Sequence, residues 1–244
     1  MYVFPAIDLY QGQVVRLAQG DYDRITVYDD NPLRQASEFA HTGASWLHIV
    51  DLDGAKTGNP FNLDVIAKIA HEVDINIEVG GGVRTREAAQ KLFDAGVSRV
   101  VLGTKLAHDF EFIQTLVEEF GADRLVAGVD ARSGKVATRG WTEESPLDAL
   151  ELVGTLSDLG LRHLVYTDIA RDGMQTGIDI KLYREVAKAA KFPVIASGGI
   201  SSLLDFEEIH IAGDHVFEGA ITGKALYEQA FNLHDALSTL EGDY

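Results

Sequence analysis

The feature that most constrains this chain is that it reads as two copies of one plan. Ile7-Asp8 recurs as Val129-Asp130, 122 residues later, which is half of the 244-residue length. Asp51-Leu52-Asp53-Gly54 with Thr57-Gly58 recurs as Asp168-Ile169 and Asp172-Gly173 with Thr176-Gly177, the closing glycines being 119 apart. Gly80-Gly81-Gly82-Val83 recurs as Ser197-Gly198-Gly199-Ile200 at an offset of 117, and Gly103-Thr104-Lys105 as Gly223-Lys224 at 120. Four offsets agreeing within a few residues are the signature of an internal repeat.

Each repeated element follows a short apolar run. Eight such runs read as strands: Val3–Ile7, Trp46–Val50, Ile75–Val79, Arg99–Leu102, Leu125–Val129, His163–Tyr166, Pro193–Ala196 and His215–Glu218. They are mostly continuous rather than alternating, as parallel strands buried on both faces require. Eight units in this length give about 30 residues each, the size of one strand–helix repeat.

Helical patterns fill the intervals. Asn31-Pro32 reads as cap and first helical residue of a helix toward Thr42, stopped by Gly43. Thr85 caps Arg86–Ala95, and Ser145-Pro146 opens a helix through Leu159. Ser202 and Asp205 form a capping box before Phe206–Ile211. Asn62–Glu72, Asp109–Phe120 and Asp179–Ala190 carry apolar residues at helical spacing, and a short helix starts at Asn232.

No linker or change of composition interrupts the chain, so one domain over residues 1–244 is expected. Alternating strands and helices close into a barrel or form a doubly wound open sheet. An open dinucleotide-binding sheet carries Gly-x-Gly-x-x-Gly after its first strand, where this chain has Ile7-Asp8-Leu9. The reading is therefore an α/β fold, a (β/α)8 TIM barrel with a half-barrel internal repeat.

Composition removes several function classes. With 21 Lys+Arg against 38 Asp+Glu, the net charge is −17, which argues against nucleic-acid partners and anionic membrane surfaces. The absence of cysteine excludes disulfides, thiolate metal sites and a cysteine nucleophile, and suits a reducing cytoplasm. The start Met1-Tyr2-Val3-Phe4-Pro5 has no basic, apolar signal character, and no apolar run approaches the ~18 residues of a membrane span. The eight histidines show no metal-ligand spacing, so no metal is expected. His48 and His163, inside predicted strands, read as satisfied core residues.

Positions just past barrel strands share one rim, where active sites are built. A pseudo-twofold would set Asp8 and Asp130 on opposite sides of the mouth, with two glycine-rich turns also facing each other. Such turns bind phosphate because the backbone approaches closely and free N–H groups of the next helix point at the anion. Two of them imply a ligand phosphorylated at both ends. The bland readings are that Gly-Gly makes only a tight turn and that a lone Asp after a strand is a cap. Trp141 in Arg139-Gly140-Trp141 is either a surface anchor or a flat ring that stacks on a planar heterocycle.

The blocks Phe4-Pro5-Ala6-Ile7-Asp8-Leu9, Gly12 with Val14-Val15-Arg16-Leu17, and Gln19-Gly20 resemble a known family. So do Val50-Asp51-Leu52-Asp53-Gly54-Ala55, Val79-Gly80-Gly81-Gly82-Val83-Arg84, Thr167-Asp168-Ile169-Ala170-Arg171-Asp172-Gly173 and Ala196-Ser197-Gly198-Gly199-Ile200. Together they are similar to the histidine-biosynthesis isomerases that convert phosphoribosylformimino-aminoimidazole carboxamide ribotide from aminoaldose to aminoketose. The resemblance covers essentially the whole chain and implies a bisphosphorylated ribotide substrate and a cofactor-free Amadori rearrangement. It implies Asp8 as proton acceptor and Asp130 as proton donor, one of them protonated near neutrality. Asp172, with Thr167 nearby, also matches a family residue credited with acid chemistry. The resemblance places one phosphate at Gly81, Gly82, Gly103 and Thr104. The other falls to Gly177, Ser197, Gly198, Gly199 and Gly223, with Lys224 close by. Arg16, Arg84 and Trp141 are implied contacts with the middle of the substrate. A monomer is expected.

Three other readings compete. The sister cyclase, fed ammonia by a glutaminase, shares the doubled barrel but typically has Lys at the position of Arg16 and lacks the Asp53-Gly54-Ala55-Lys56 run. An isomerase that also accepts phosphoribosylanthranilate would be expected to carry Ser-Gly-Gly where this chain has Gly80-Gly81-Gly82. A non-enzymatic sugar-phosphate binder would not need three aspartates at the mouth.

Overall fold

The computed structural model describes residues 1–18, 21–138, 141, 143–174 and 176–242. Gln19-Gly20 and Arg139-Gly140, and the side chain of Thr104, lie outside the described residues. Eight parallel strands form the frame: β1 (Tyr2–Tyr10), β2 (Trp46–Asp51), β3 (Asn76–Gly80), β4 (Arg99–Leu102), β5 (Leu125–Arg132), β6 (His163–Asp168), β7 (Val194–Ser197) and β8 (Phe217–Thr222). Each pairs with the next in chain order, and β8 returns to β1 with Tyr2 opposite Gly219, so the sheet closes into a barrel.

Among the described residues, eight helices of nine or more residues surround it, α1 (Pro32–His41), α2 (Leu63–Glu72), α3 (Arg86–Asp94), α4 (Phe110–Phe120), α5 (Ala149–Asp158), α6 (Ile180–Ala190), α7 (Leu203–Ala212) and α8 (Leu233–Glu241), and shorter helices at Leu52–Thr57 and Lys224–Tyr227 follow β2 and β8. Their starts follow local chemistry. Asn31, Thr85, Asp109 and Asp179 each accept a hydrogen bond from a first-turn N–H. The predicted capping box before α7 is present, with the Asp205 carboxylate accepting from Ser202 N–H at 2.8 Å.

Two expectations are corrected. Ser145-Pro146 does not open a helix. It lies in a strand, Glu143–Asp148, paired with Lys135–Thr138, and α5 begins at Ala149 because Asp148 accepts from both Leu150 and Glu151 N–H. This strand ends the sheet path, where proline's missing N–H costs no ladder bond. The last barrel strand runs over Phe217–Thr222 rather than His215–Glu218, since residues up to Val216 close a turn on the Gly213 carbonyl.

The main core lies between strands and helices, and a second cluster of Phe4, Ala6, Val101, Val126, Val165, Ile195 and Ile221 fills the barrel. Beneath it is a polar floor. Arg99 and His163 share the Glu218 carboxylate at 2.7 and 2.8 Å, and Arg99 stacks over Trp46 at 4.1 Å. At the other end two hairpins rise over the mouth. The first, Gln13–Ala18 with Asp21–Asp29, extends β1, and the second, Lys135–Thr138 with Glu143–Asp148, extends β5. Among the described residues, no helix is long and apolar enough to cross a membrane.

Candidate active site

Asp8 and Asp130 stand at matching places on β1 and β5, and both line one cavity of about 310 Å³ at the barrel mouth. Asp172, Thr167, Arg16, Arg84 and Trp141 line the same cavity, so the residues implied for the chemistry are brought together from six segments of the chain. The loops after β2 and β3 pack tightly to make one wall. A Cβ on Gly81 would lie 2.2 Å from the Asp51 carbonyl oxygen, and φ there is +102°. The second half repeats the device, since a Cβ on Gly198 would lie 2.6 Å from the Asp168 carbonyl oxygen at φ +84°.

The two glycine walls face different spaces. Gly81, Gly82 and Gly103 line the main cavity, with Lys105 beside them. Ser197, Gly198, Gly199, Gly223 and Lys224 line a smaller adjoining cavity that shares Arg16, Asp172 and Ser197 with the first. Gly177 lines neither. Its carbonyl accepts from Arg171 Nη1 at 3.1 Å and backs the turn at Gly199.

The aspartates sit in different electrostatic settings. Arg16, from the first hairpin, donates to Asp8 Oδ2 at 3.0 Å and lies 3.9 Å from Asp172. Asp130 has no guanidinium against it among the described residues; its hydrogen bonds come from Thr167 and Trp141. Burial pushes its carboxyl up, while those hydrogen bonds and the nearby His48 imidazole pull it back. Burial also raises Asp172. There Arg16 opposes the shift, and the carboxylates of Asp8 and Asp130 reinforce it. The arrangement offers one carboxylate with a cation against it and one kept toward its protonated form, the pairing that acid–base chemistry on one substrate needs.

Sequence reasoning missed three cavity residues. Tyr22, Lys105 and His48 all line the main cavity, His48 being also the buried, hydrogen-bonded residue that its strand position predicts. Strand alternation carries the signal for His48, because Ala6, His48 and Glu78 share one register row and Ala6 faces inward. Among the described residues, no group of three or more His, Cys, Asp or Glu is placed to hold a metal ion.

Comparison with known proteins gives the same picture over nearly the whole chain. The family model for "Histidine biosynthesis protein" matches residues 2–232. A protein of Acaryochloris marina is 46% identical over 97% of this chain and 92% of its own length. One of Novosphingobium aromaticivorans is 45% identical over 99% of this chain and 100% of its own. A third, of Brevibacillus brevis, is 45% identical over 98% and 96%. All three are described as a 1-(5-phosphoribosyl)-5-((5-phosphoribosylamino)methylideneamino)imidazole-4-carboxamide isomerase. With this similarity end to end, on a closed barrel that carries its motifs at one mouth, the chain belongs to the histidine biosynthesis protein family.

Proposed function

We propose that this chain is the aldose–ketose isomerase of histidine biosynthesis, converting phosphoribosylformimino-aminoimidazole carboxamide ribotide from aminoaldose to aminoketose. The observation that carries the reading is a single cavity holding Asp8 and Asp130 at equivalent positions of the two halves, with a glycine-rich wall beside each. The relatives' shared description supplies the reaction and the substrate class.

Asp8 takes the proton from the sugar carbon next to the imine, and Asp130 protonates the ring oxygen to open the furanose. The raised Asp130 carboxyl supports its role as acid, and the Arg16 guanidinium supports Asp8 as base. Asp172 and Thr167 assist the acid side, Thr167 through its hydrogen bond to Asp130. One phosphate lies along Gly81, Gly82, Gly103 and Thr104. The other lies along Ser197, Gly198, Gly199 and Gly223 with Lys224, the loop being supported from behind by Gly177. Arg84 and Trp141 hold the substrate's middle. Backbone N–H groups and these few local cations bind the two phosphates although the chain carries −17. In this reading the protein is one barrel domain over residues 1–244. It works as a monomer in the cytoplasm without metal or cofactor, and needs neither nucleic acid nor membrane.

The test is a turnover assay with the aminoaldose. Formation of the aminoketose supports the proposal, and its absence from a folded preparation defeats it. Parallel reactions with phosphoribosylanthranilate, and with aminoketose plus ammonia, decide against or for the dual isomerase and the cyclase.

A further inference from the structure

One more pair of titratable groups belongs to this cavity. His48 on β2 and Glu78 on β3 stand opposite each other in the ladder, with His48 Nδ1 2.6 Å from Glu78 Oε1. Glu78 is completely buried, and its Oε2 is one of two buried side-chain atoms without a hydrogen-bond partner among the described residues. An incompletely satisfied buried carboxylate is costly, and Arg99, opposite Glu78 on the other ladder, forms its ion pair with Glu218.

The floor of the barrel supplies a contrast. Glu218 there also meets a histidine, but Arg99 takes its other oxygen, and neither Glu218 nor His163 lines the cavity. That group is a closed structural layer. The upper pair is open. Glu78 occupies Nδ1, which fixes the ring's orientation and leaves Nε2 for the cavity that His48 lines. No hydrogen bond to Nε2 occurs among the described residues.

Aldose–ketose isomerisation needs four proton transfers, and the roles proposed above for Asp8 and Asp130 cover the removal of the C2 proton and the protonation of the ring oxygen. After ring opening, the carbon at position two loses its hydrogen to give an enaminol. The enaminol becomes a ketone when C1 gains a proton and the 2-hydroxyl loses one. We propose that His48, held by Glu78, accepts the 2-hydroxyl proton at Nε2 in this last step, which makes His48 a catalytic residue and Glu78 its positioning residue. The O–H electron pair becomes the second C–O bond, the C1–C2 π pair takes the proton at C1, and that proton is the one Asp8 removed from C2. The proton gained by His48 offsets the one the acid gave to the ring oxygen, so the enzyme ends the turnover with its proton count unchanged. This inference rests on the isomerase reading, and wild-type turnover measured alongside tests that reading separately.

The experiment compares wild type, His48→Gln, Glu78→Gln and the floor variant His163→Gln with aminoaldose in D2O. Two quantities are followed, aminoketose formed and deuterium appearing at C2 of the recovered substrate. For His48→Gln, kcat falls about 100-fold, a usual share for one proton-transfer group, while KM changes little. C2 deuteration per product rises, because a longer-lived enaminol gives Asp8 time to exchange. Glu78→Gln shows the same rise, smaller in size. His163→Gln lowers Tm and leaves the ratio at the wild-type value. Wild-type kcat in His48→Gln, or exchange and product falling together, would overturn the proposal. Should that variant fail to fold, an unchanged ratio in Glu78→Gln overturns it equally.

Discussion

The two halves of this barrel share a plan but differ in how they treat the same aspartate. Asp8 and Asp130 follow equivalent strands, and a hairpin rises from each strand end. In the first half that hairpin delivers the Arg16 guanidinium to within 3.0 Å of the carboxylate. In the second it delivers Trp141, a neutral donor, and the neighbouring strand adds Thr167. The difference teaches that duplication supplies two carboxylates, while the surrounding loops give each its own electrostatic setting. The glycine walls diverge too. The second is pinned by Tyr183, whose hydroxyl donates to the Ser197 carbonyl at 2.8 Å and accepts from its N–H at 3.1 Å. The first half has Ile66 at the corresponding helix position. It organises its loops through the buried Asp51, which accepts from the N–H groups of Gly54, Phe61 and Asn62.

The comparison breaks most visibly at Asp8. Asp8→Asn is expected to lower kcat by about 10³-fold with an unchanged circular dichroism spectrum. Near-normal turnover would remove the asymmetry altogether. Arg16→Met strips the countercharge from Asp8 and from Asp172 and should cost about 10–100-fold in kcat/KM, in keeping with a lost charge-assisted hydrogen bond. A loss confined to KM would instead make Arg16 a binding residue.

The glycine walls give a structural version of the same test. Gly81→Ala should destabilise by more than about 2 kcal/mol, and Gly198→Ala by less, because the closer clash is at Gly81 and both sites hold positive φ. Urea midpoints of the two variants check the order.

Asp130 gives a change of opposite sign. A carboxyl raised in the folded state contributes stability below its unfolded value of ~3.9, and that contribution is lost as pH rises through the folded value. At neutral pH the buried charge therefore costs stability, so Asp130→Asn should raise Tm by a few degrees while turnover falls. A fall in Tm at neutral pH would contradict the burial argument. The smallest effect is expected for Trp141→Phe. It removes a donor that favours the charged carboxylate, so the Asp130 carboxyl moves further up and the alkaline limb of the kcat/KM profile shifts to higher pH.

Much of this was legible in the chain itself, for physical reasons. Barrel strands read clearly because parallel strands buried on both faces are continuous apolar runs, and the helix starts at Asn31, Thr85 and Ser202 read clearly because capping is local. The hairpins did not. Val14-Val15-Arg16-Leu17 reads only as a motif, and Ser145-Pro146 reads as a helix start, because an antiparallel extension depends on which edge is free to pair. His48 is buried and hydrogen-bonded as its strand position predicts, but that position did not show that it also lines the cavity. A histidine in a strand looks alike whether its ring meets packed side chains or the open mouth of the barrel.

What the sequence by itself determined is the doubled eight-unit plan, the glycines at strand ends and the pair of aspartates half a chain apart, because periodicity, backbone freedom and repetition are written along the chain. Only the tertiary structure decided that Asp8 meets a guanidinium while Asp130 meets Thr167 and Trp141, and that His48, hydrogen-bonded to Glu78, lines the cavity. Charge and hydrogen bonding act over a few ångströms. The partners that set them come from segments tens of residues apart, and closure of the barrel alone puts those segments side by side.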